Sequence, residues 1–561
     1  MTHAPTAQTR TDPISRDVFR HQLSGVADEM STALRLSSYS SIIWNMYDYT
    51  CALLTPKGEI IAQAETIAAQ LGILPMAFAA VTRTIPIESW EDGDAILTND
   101  PYSGCTHTPD MVLFSPVFHG ETLVAVAATV AHHVDIGGKV PCSTAPDNLD
   151  IFSEGIRITP MRLFDRGVAN TIVYQFIAAN VRDPRSCLGD LRAQVAGCRT
   201  GETGVRALID QHGLERFGDL IEDSFDYTER YARNTISGLP DGTYRASLPT
   251  EDGIVSQEPI TLKVAITVAG DEITVDFDGT SEQRDFGLNC PHASAVSMVN
   301  YAMKCVLAPA IKPNDGLNRP IRINVPEGTV LNPRFPGAVS SRHFTQQAVA
   351  EVVLKAMLPL MPEHAAAGGQ ISFPSLRAGG LDDRAARRAA DGSAPYYIVQ
   401  DIVGGGMGAC ASADGKNAVD THGGNCPLLS AEVMETVSPF RVLRTDLVPN
   451  SGGAGQQRGG LAVRRSYELL AQKAVVGCYF QQANDDTRPW GIFGGEEGAA
   501  AGAVLNPGRG DERVLPVKSI GLTIRKGDVI EMQSAGGGGW GDSAERDPAL
   551  VARDLAEGYV R

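Results

Sequence analysis

Neither a Cys-x-x-Cys pair, nor a membrane-length apolar run, nor a dense block of Lys and Arg occurs in this chain. Each absence excludes something. The ten cysteines lack paired spacing, so in a chain of this size they are expected to be scattered reduced thiols. Without about 18 consecutive apolar residues, no segment is expected to span a membrane. Without a basic stripe, and at a net charge of -18, nucleic acid and anionic membranes are poor partners. The N-terminus, MTHAPTAQTRTDPISRD, has no apolar stretch behind its basic residues, so no signal peptide is expected and a cytoplasmic location is. There is no Gly-x-x-x-x-Gly-Lys-Ser/Thr loop, and the glycine clusters lack the strand-then-helix setting of a phosphate cradle. Any ATP site is therefore expected on another chain.

What is present is ordinary for a soluble globular protein: 561 residues, 43% hydrophobic and 20% charged. At about 150 residues per domain this predicts three or four domains. We divide the chain into a disordered leader (1–13), an N-terminal α+β metal-binding domain (14–237), a central α+β domain (238–425) and a Gly-rich, β-rich C-terminal domain (426–561). The expected fold class is α+β, with large mixed sheets, packed helices and no doubly wound nucleotide fold.

Val18, Leu23, Val26, Met30 and Leu34 recur near the helical period and predict a helix over 17–36. Pro-Lys-Gly at 56–58 predicts a β-hairpin, and 68–85 reads as helix. MVLFSPVF and TLVAVAATVA read as two strands turning at His119-Gly120, with Pro116 marking an edge or a bulge. Pairing Phe118 with Glu121 would set position 107 opposite 132. Residues 170–236 read as helical with a turn at Gly201–Gly204. Hairpin turns are expected at Pro240–Thr243 and Ala269–Asp271, helices over 292–310 and 345–358, and an exposed loop over 378–395. Of the 58 glycines many fall in late clusters such as NSGGAGQQRGG and AGGGGWGD, suited to tight turns or to close backbone approach to another chain.

The chemistry concentrates in Asn99-Asp100-Pro101-Tyr102, Thr106-His107-Thr108-Pro109-Asp110 and Ala131-His132-His133-Val134-Asp135-Ile136-Gly137-Gly138. His107 and Asp110 are three apart and the hairpin returns His132 to them. Two imidazoles and a carboxylate can hold a divalent metal, zinc, manganese or iron, and leave positions open. A His-x-x-Asp by itself is more often a surface hydrogen-bonded pair. Pro109 keeps Thr108 extended, so both residues belong to a loop. Alternation along a strand sends His132 and His133 to opposite faces, so one is a ligand. Asp135 and His133 are candidates for orienting the ligands. Asp100 is a candidate general base, or else a turn aspartate before Pro101. Glu154 is a candidate substrate-binding carboxylate, or else a solvated surface residue.

These segments resemble the hydantoinase B / oxoprolinase family. That family includes 5-oxoprolinase, N-methylhydantoinase, the caprolactamase β subunit and a subunit of acetone and acetophenone carboxylases. The likeness runs along nearly the whole chain, through Ser153-Glu154-Gly155, Asn180-Val181-Arg182, Gly189–Gln194, Pro326-Glu327-Gly328, Ser451–Gly455 and Gly536–Gly539. It implies a metal held by His107, Asp110 and His132. It also implies a hydantoinase A type partner that binds Mg-ATP, in a hetero-oligomer with two or more copies of each subunit. The implied reaction is hydrolysis of a ring amide after the partner phosphorylates its carbonyl oxygen, with Asp100 accepting a proton from water. A ketone carboxylase subunit is the alternative. A non-catalytic supporting subunit and a free-standing iron oxygenase are weaker readings. The chain departs from the family pattern at Cys105 (usually Gly), at Leu36–Ser40 and at Gln70 (usually His). If such changes line the pocket, the ring differs from 5-oxoproline or N-methylhydantoin. The Gly-rich last third is expected to supply part of the subunit contact.

Overall fold

The computed structural model describes residues 11–254 and 258–561. Strands β1 (Tyr49–Leu54), β2 (Ile60–Gln63), β3 (Ala95–Thr98), β4 (Asp110–His119), β5 (Thr122–His132), β6 (Met161–Asp165) and β7 (Val168–Ala169) form one sheet, in the order β2-β1-β5-β4-β3-β6-β7. Every neighbouring pair is antiparallel. Met111 and Leu113 of β4 join Phe19, Leu23 and Met30 of the helix Pro13–Ser37 in one core. Val112 and Phe114, pointing the other way, join Leu74, Phe78 and Val81 of the helix Leu74–Thr84. Burial on both faces explains why these strands read as unbroken apolar runs.

The first helix starts earlier than its apolar period suggested. Asp12 accepts from the Ser15 amide at 3.0 Å and Pro13 occupies the first turn, a cap that periodicity alone does not reveal. The leader expected over 1–13 falls mostly outside the described residues. The turn expected at Gly201–Gly204 is instead the middle of a 29-residue helix, Pro184–His212. Those glycines bring it close to the first helix: a Cβ at Gly201 would meet Met30 Sδ at 2.6 Å, and one at Gly204 would meet Val26 Cγ1 at 2.6 Å. Packing outweighs the helix-breaking tendency of glycine here.

Strands β8 (Gly242–Thr250), β9 (Ile260–Ala269), β10 (Glu272–Asp276) and β11 (Ile321–Asn324) make a second sheet in the order β11-β10-β9-β8, with β10 and β11 parallel. Ala269–Asp271 is the hairpin turn, Gly270 lying at φ +63°. Pro240–Thr243 instead leads from the helix Leu214–Ser237 into β8. The helices His292–Leu307 and His343–Met357 pack on this sheet.

The rest is strand-rich: β12 (Ser375–Leu381), β13 (Tyr396–Ile402), β14 (Phe440–Leu447), β15 (Val463–Leu469), β16 (Lys473–Tyr479), β17 (Gly502–Leu505), β18 (Arg513–Val514), β19 (Lys518–Arg525) and β20 (Val529–Gln533). They form sheets β13-β12-β16-β19 and β14-β15-β20-β17-β18. The stretch expected as an exposed loop over 378–395 begins as the end of β12. Its small residues fit between β13 and β16, where a Cβ at Gly379 would strike Pro141 at 2.7 Å.

Many of the late glycines crowd against backbone of this same chain. A Cβ at Gly536 would lie 1.8 Å from the Ser451 carbonyl oxygen, and one at Gly537 1.8 Å from that of Met407. In place of side chains there are backbone hydrogen bonds, the amides donating: Gly537 N to Gly460 O at 2.8 Å, Gly460 N to Met407 O at 2.8 Å and Gly538 N to Gly368 O at 2.8 Å. Among the described residues no helix is long and apolar enough to cross a membrane.

Candidate metal centre

Three adjacent strands of the first sheet end at the same place. β1 begins after Asp48, β5 ends at His132, and β4 begins at Asp110, which lies directly opposite His132. His107 precedes Asp110 in a tight turn closed by the Asp110 amide on the His107 carbonyl at 3.0 Å. The register differs from a plain hairpin. The two turn residues are Gly120 and Glu121, and a bulge between Val117 and Phe118 adds one residue. The bulge follows Pro116, beyond the end of β3, so the proline costs no sheet bond on that side. The shift places Asp110, not His107, opposite His132, yet still gathers all three.

His107 Nε2, His132 Nδ1 and Asp110 Oδ1 converge. His107 Nε2 is 3.0 Å from the carboxylate oxygen, His132 Nδ1 is 2.9 Å from it, and the two nitrogens are 3.1 Å apart. His107 Nδ1 donates to the Ser340 carbonyl at 2.8 Å, which leaves the lone pair on Nε2. Burial, aided by the Arg342 guanidinium, pushes the His107 pKa down to about 4, so the ring is neutral and ligand-competent. Asp110 is fully buried. Burial alone would raise its pKa, but His107 and Arg342 hold it well below the usual carboxylate range. Its Oδ2 takes the Thr106 hydroxyl and, at 2.7 Å, Arg342 Nη2, which leaves Oδ1 for the imidazoles.

The residues fit a divalent ion. Ligand distances of about 2.1 Å at right angles need donor atoms about 3.0 Å apart, close to the spacing here. These three side chains form a group able to hold a metal among the described residues.

Other candidates fall around this centre in distinct ways. Asn99 fixes the ligand loop: its Nδ2 donates to the Thr108 carbonyl at 2.6 Å and to the Ile156 carbonyl at 2.9 Å. Asp100 caps the short turn Pro101–Ser103. It accepts from the Tyr102 amide at 3.1 Å and the Ser103 hydroxyl at 3.0 Å, 3.6 Å from Arg157 Nε. It does not line the cavity on which His107 and His132 open. Asp135 binds Arg182, Oδ1 to Nη1 at 2.7 Å and Oδ2 to the backbone amide at 2.9 Å, and so braces the following loop without touching the imidazoles. His133 points away, its Nε2 3.0 Å from Gln194 Oε1. Cys105 is buried in the apolar layer under the helix Leu74–Thr84, outside the converging ligand atoms.

Glu154 is fully buried and positions the ligand set from behind. Its Oε1 accepts the Val339 and Ser340 amides at 2.6 and 2.7 Å, and the Ser340 carbonyl in turn holds His107. Burial pushes its pKa up to about 8. A carboxyl whose folded pKa is raised stabilises the fold below its unfolded pKa and loses that contribution as pH rises through about 8. Glu154→Gln keeps the acceptor and removes the titration. The wild-type melting temperature should fall relative to the variant between about pH 4.5 and 8. Parallel pH profiles in thermal melts of the two proteins would contradict this assignment.

The cavity, about 50 Å³, is walled by Asp48, Gln70, Arg342, His343, Arg377 and Asp420 together with both ligand imidazoles. Asp48 Oδ2 lies 3.9 Å from His132 Nδ1, and Gln70 Nε2 donates to Asp48 Oδ1 at 2.8 Å. Burial raises the Asp48 pKa to about 6.

A family model described as hydantoinase B/oxoprolinase matches residues 12–543. The chain belongs to the hydantoinase B/oxoprolinase family. A protein of Pseudomonas sp. (strain NS671), named as a candidate B-type subunit of a D-/L-hydantoinase, is 30% identical over 100% of this chain and 95% of its own. The crystal structure of the ATP-dependent caprolactamase from Pseudomonas jessenii superposes with a TM-score of 0.88 at 26% identity, covering 98% of this chain and 95% of that one. A nucleotide-free acetone carboxylase shares the fold, with a TM-score of 0.88 at 20% identity over 99% of this chain and 79% of its own.

Against the hydantoinase B/oxoprolinase pattern, the departures separate by position. Gln70, where the family usually has His, lines the cavity and holds Asp48. Tyr39, in the altered Leu36–Ser40 stretch, gives its amide to Asp190 at 2.7 Å and does not line the cavity. Asp48 belongs to the same altered N-terminal stretch, which continues through Asn45 and Asp48-Tyr49-Thr50, whereas Arg342, His343 and Arg377 were not recognised as site residues from the sequence. They sit at a helix start and on a strand, far along the chain from His132, and no local motif marks them.

Proposed function

We propose that this chain is the metal-bearing subunit of an ATP-dependent enzyme that hydrolyses a cyclic amide after a hydantoinase A type partner has phosphorylated the ring carbonyl oxygen. The observation that carries the reading is the buried His107, Asp110 and His132 set opening on a cavity walled by Asp48, Arg342 and Arg377. The similarity to the hydantoinase-type relative and to the ATP-dependent caprolactamase supports it. An unstrained ring amide is a poor electrophile, and O-phosphorylation activates its carbon: water adds there, the ring C–N bond breaks with the nitrogen taking a proton, and a second water cleaves the resulting acyl phosphate to carboxylate and inorganic phosphate. A divalent ion held by the three side chains would supply a Lewis acid and acidify water, toward a pKa of about 7 in favourable sites. Asp48, aligned by Gln70 and facing the cavity, takes the proton from water as general base in place of the more distant Asp100.

Asp48→Asn should leave the bound ion in place and lower kcat by about 10²- to 10⁴-fold. Metal analysis beside steady-state rates checks this, and unchanged turnover would remove Asp48 from the chemistry. The function itself is tested by mixing the chain with a hydantoinase A type partner and ATP, and following phosphate release and product mass across hydantoins, 5-oxoproline and lactams. Gain of one water per ring, coupled to ATP, is expected. Carboxylation of acetone or acetophenone with bicarbonate, or ring opening without ATP, would overturn the reading.

A further inference from the structure

Arg377, on β12, is 3% exposed and has no carboxylate within ion-pair distance among the described residues, whereas its neighbour Arg342 pairs with Asp110. Its Nε and Nη1 are buried without a hydrogen-bond partner, and its guanidinium sits 5.2 Å above the Tyr479 ring. An uncompensated buried cation is costly, and native folds keep one where a ligand supplies the counter-charge. Arg377 lines the same cavity as His107 and His132.

It is not alone there. Arg342 spends Nη2 on Asp110 but leaves Nε unpartnered and buried. His343 Nε2 and Gln346 Nε2 are likewise buried and unpartnered, and both residues line the cavity. The His343 ring is held by stacking on Phe373, with centroids 5.2 Å apart and planes at 2°. The two arginines come from different elements, β12 and the residue before the helix His343–Met357. Donors from separate elements surround an anion from several sides, which suits a tetrahedral phosphoryl group better than a planar carboxylate met by a single guanidinium fork.

We infer that Arg377, with Arg342, His343 and Gln346, forms an oxyanion-binding subsite for the phosphoryl group of the activated substrate, beside the metal centre. This rests on the proposed function and names the class of molecule that enters the cavity: an O-phosphorylated cyclic amide, which binds as an anion, takes up one water as its ring C–N bond breaks and a second as its acyl phosphate is cleaved, and departs as ring-opened product and inorganic phosphate.

The test is calorimetric titration of the full chain with inorganic phosphate, and separately with acetate, in wild type, Arg377→Gln and Arg377→Lys, with metal content and melting temperature recorded for each. Phosphate should bind wild type and raise its melting temperature. Affinity should fall at least tenfold in Arg377→Gln and partly recover in Arg377→Lys, with metal content unchanged and acetate binding weaker than phosphate throughout. Equal phosphate affinity in wild type and a folded Arg377→Gln, or no phosphate binding and no thermal shift in wild type, would overturn the subsite. Arg377-dependent acetate binding stronger than phosphate would overturn the phosphoryl assignment in favour of a substrate carboxylate. If phosphate binding depends on Arg377 but no cyclic amide is opened with ATP and partner, the subsite stands and the functional reading fails.

Discussion

His107→Ala should empty the centre of its ion and lower ATP-coupled ring opening by at least about 10³-fold, while the chain stays folded. The expectation follows from geometry. His107 supplies one of three ligand atoms spaced 2.9 to 3.1 Å apart, and two donors hold an ion far less well than three. Lewis-acid stabilisation is worth several kcal/mol, and each 1.36 kcal/mol is about a factor of ten in rate. The imidazole also donates its Nδ1–H to the Ser340 carbonyl, so the variant leaves one buried acceptor unpaired, a loss of about 1–3 kcal/mol of stability. Metal analysis, thermal melts and turnover of the assembled enzyme separate these effects. Full turnover with no ion bound would mean that the centre is structural.

The largest stability loss should come from a far smaller change. Gly537→Ala adds one methyl group, whose carbon would lie 1.8 Å from the Met407 carbonyl oxygen. The obstacle is backbone that is itself hydrogen-bonded, Gly460 N donating to that same oxygen at 2.8 Å, so no side chain can swing away. A cost of about 4 kcal/mol or more is expected, at the far end of what single substitutions do. Gly510→Ala is the control, since nothing lies within 4 Å of a Cβ there. Denaturant unfolding of both variants decides the matter. A Gly537→Ala protein within about 1 kcal/mol of wild type would mean that the segments are not packed as described.

The cluster of His107, Asp110 and His132 was legible because its parts are local. His107 and Asp110 share a turn, and a hairpin with strong strand signals returns His132 to them. The register was misjudged first by the turn, which is Gly120-Glu121 rather than His119-Gly120, and then by the bulge between Val117 and Phe118, of which Pro116 gave notice. The split between His132 and His133 followed from strand alternation, and the structure has it. The far wall of the cavity was not legible. Arg342 and Arg377 lie more than 200 residues beyond His132 and reach it only through tertiary packing. Glycines misled in both directions for one reason. At Gly201 and Gly204 they mark contact between helices, and at Gly536–Gly539 contact between extended segments of one chain, where a sequence shows only the missing side chain.

The glycine segments around Met407, Gly460 and Gly537 also bear on how this protein meets heat. A core of leucines exposes hydrocarbon when it opens, which raises the heat capacity of unfolding, whereas peptide groups exposed to water lower it. Here the contacts that open are amide on carbonyl, with almost no carbon side chain between them. These glycine-lined segments therefore add stability with a small heat-capacity increment, and their contribution changes less with temperature than that of the aliphatic layers packed on the first sheet.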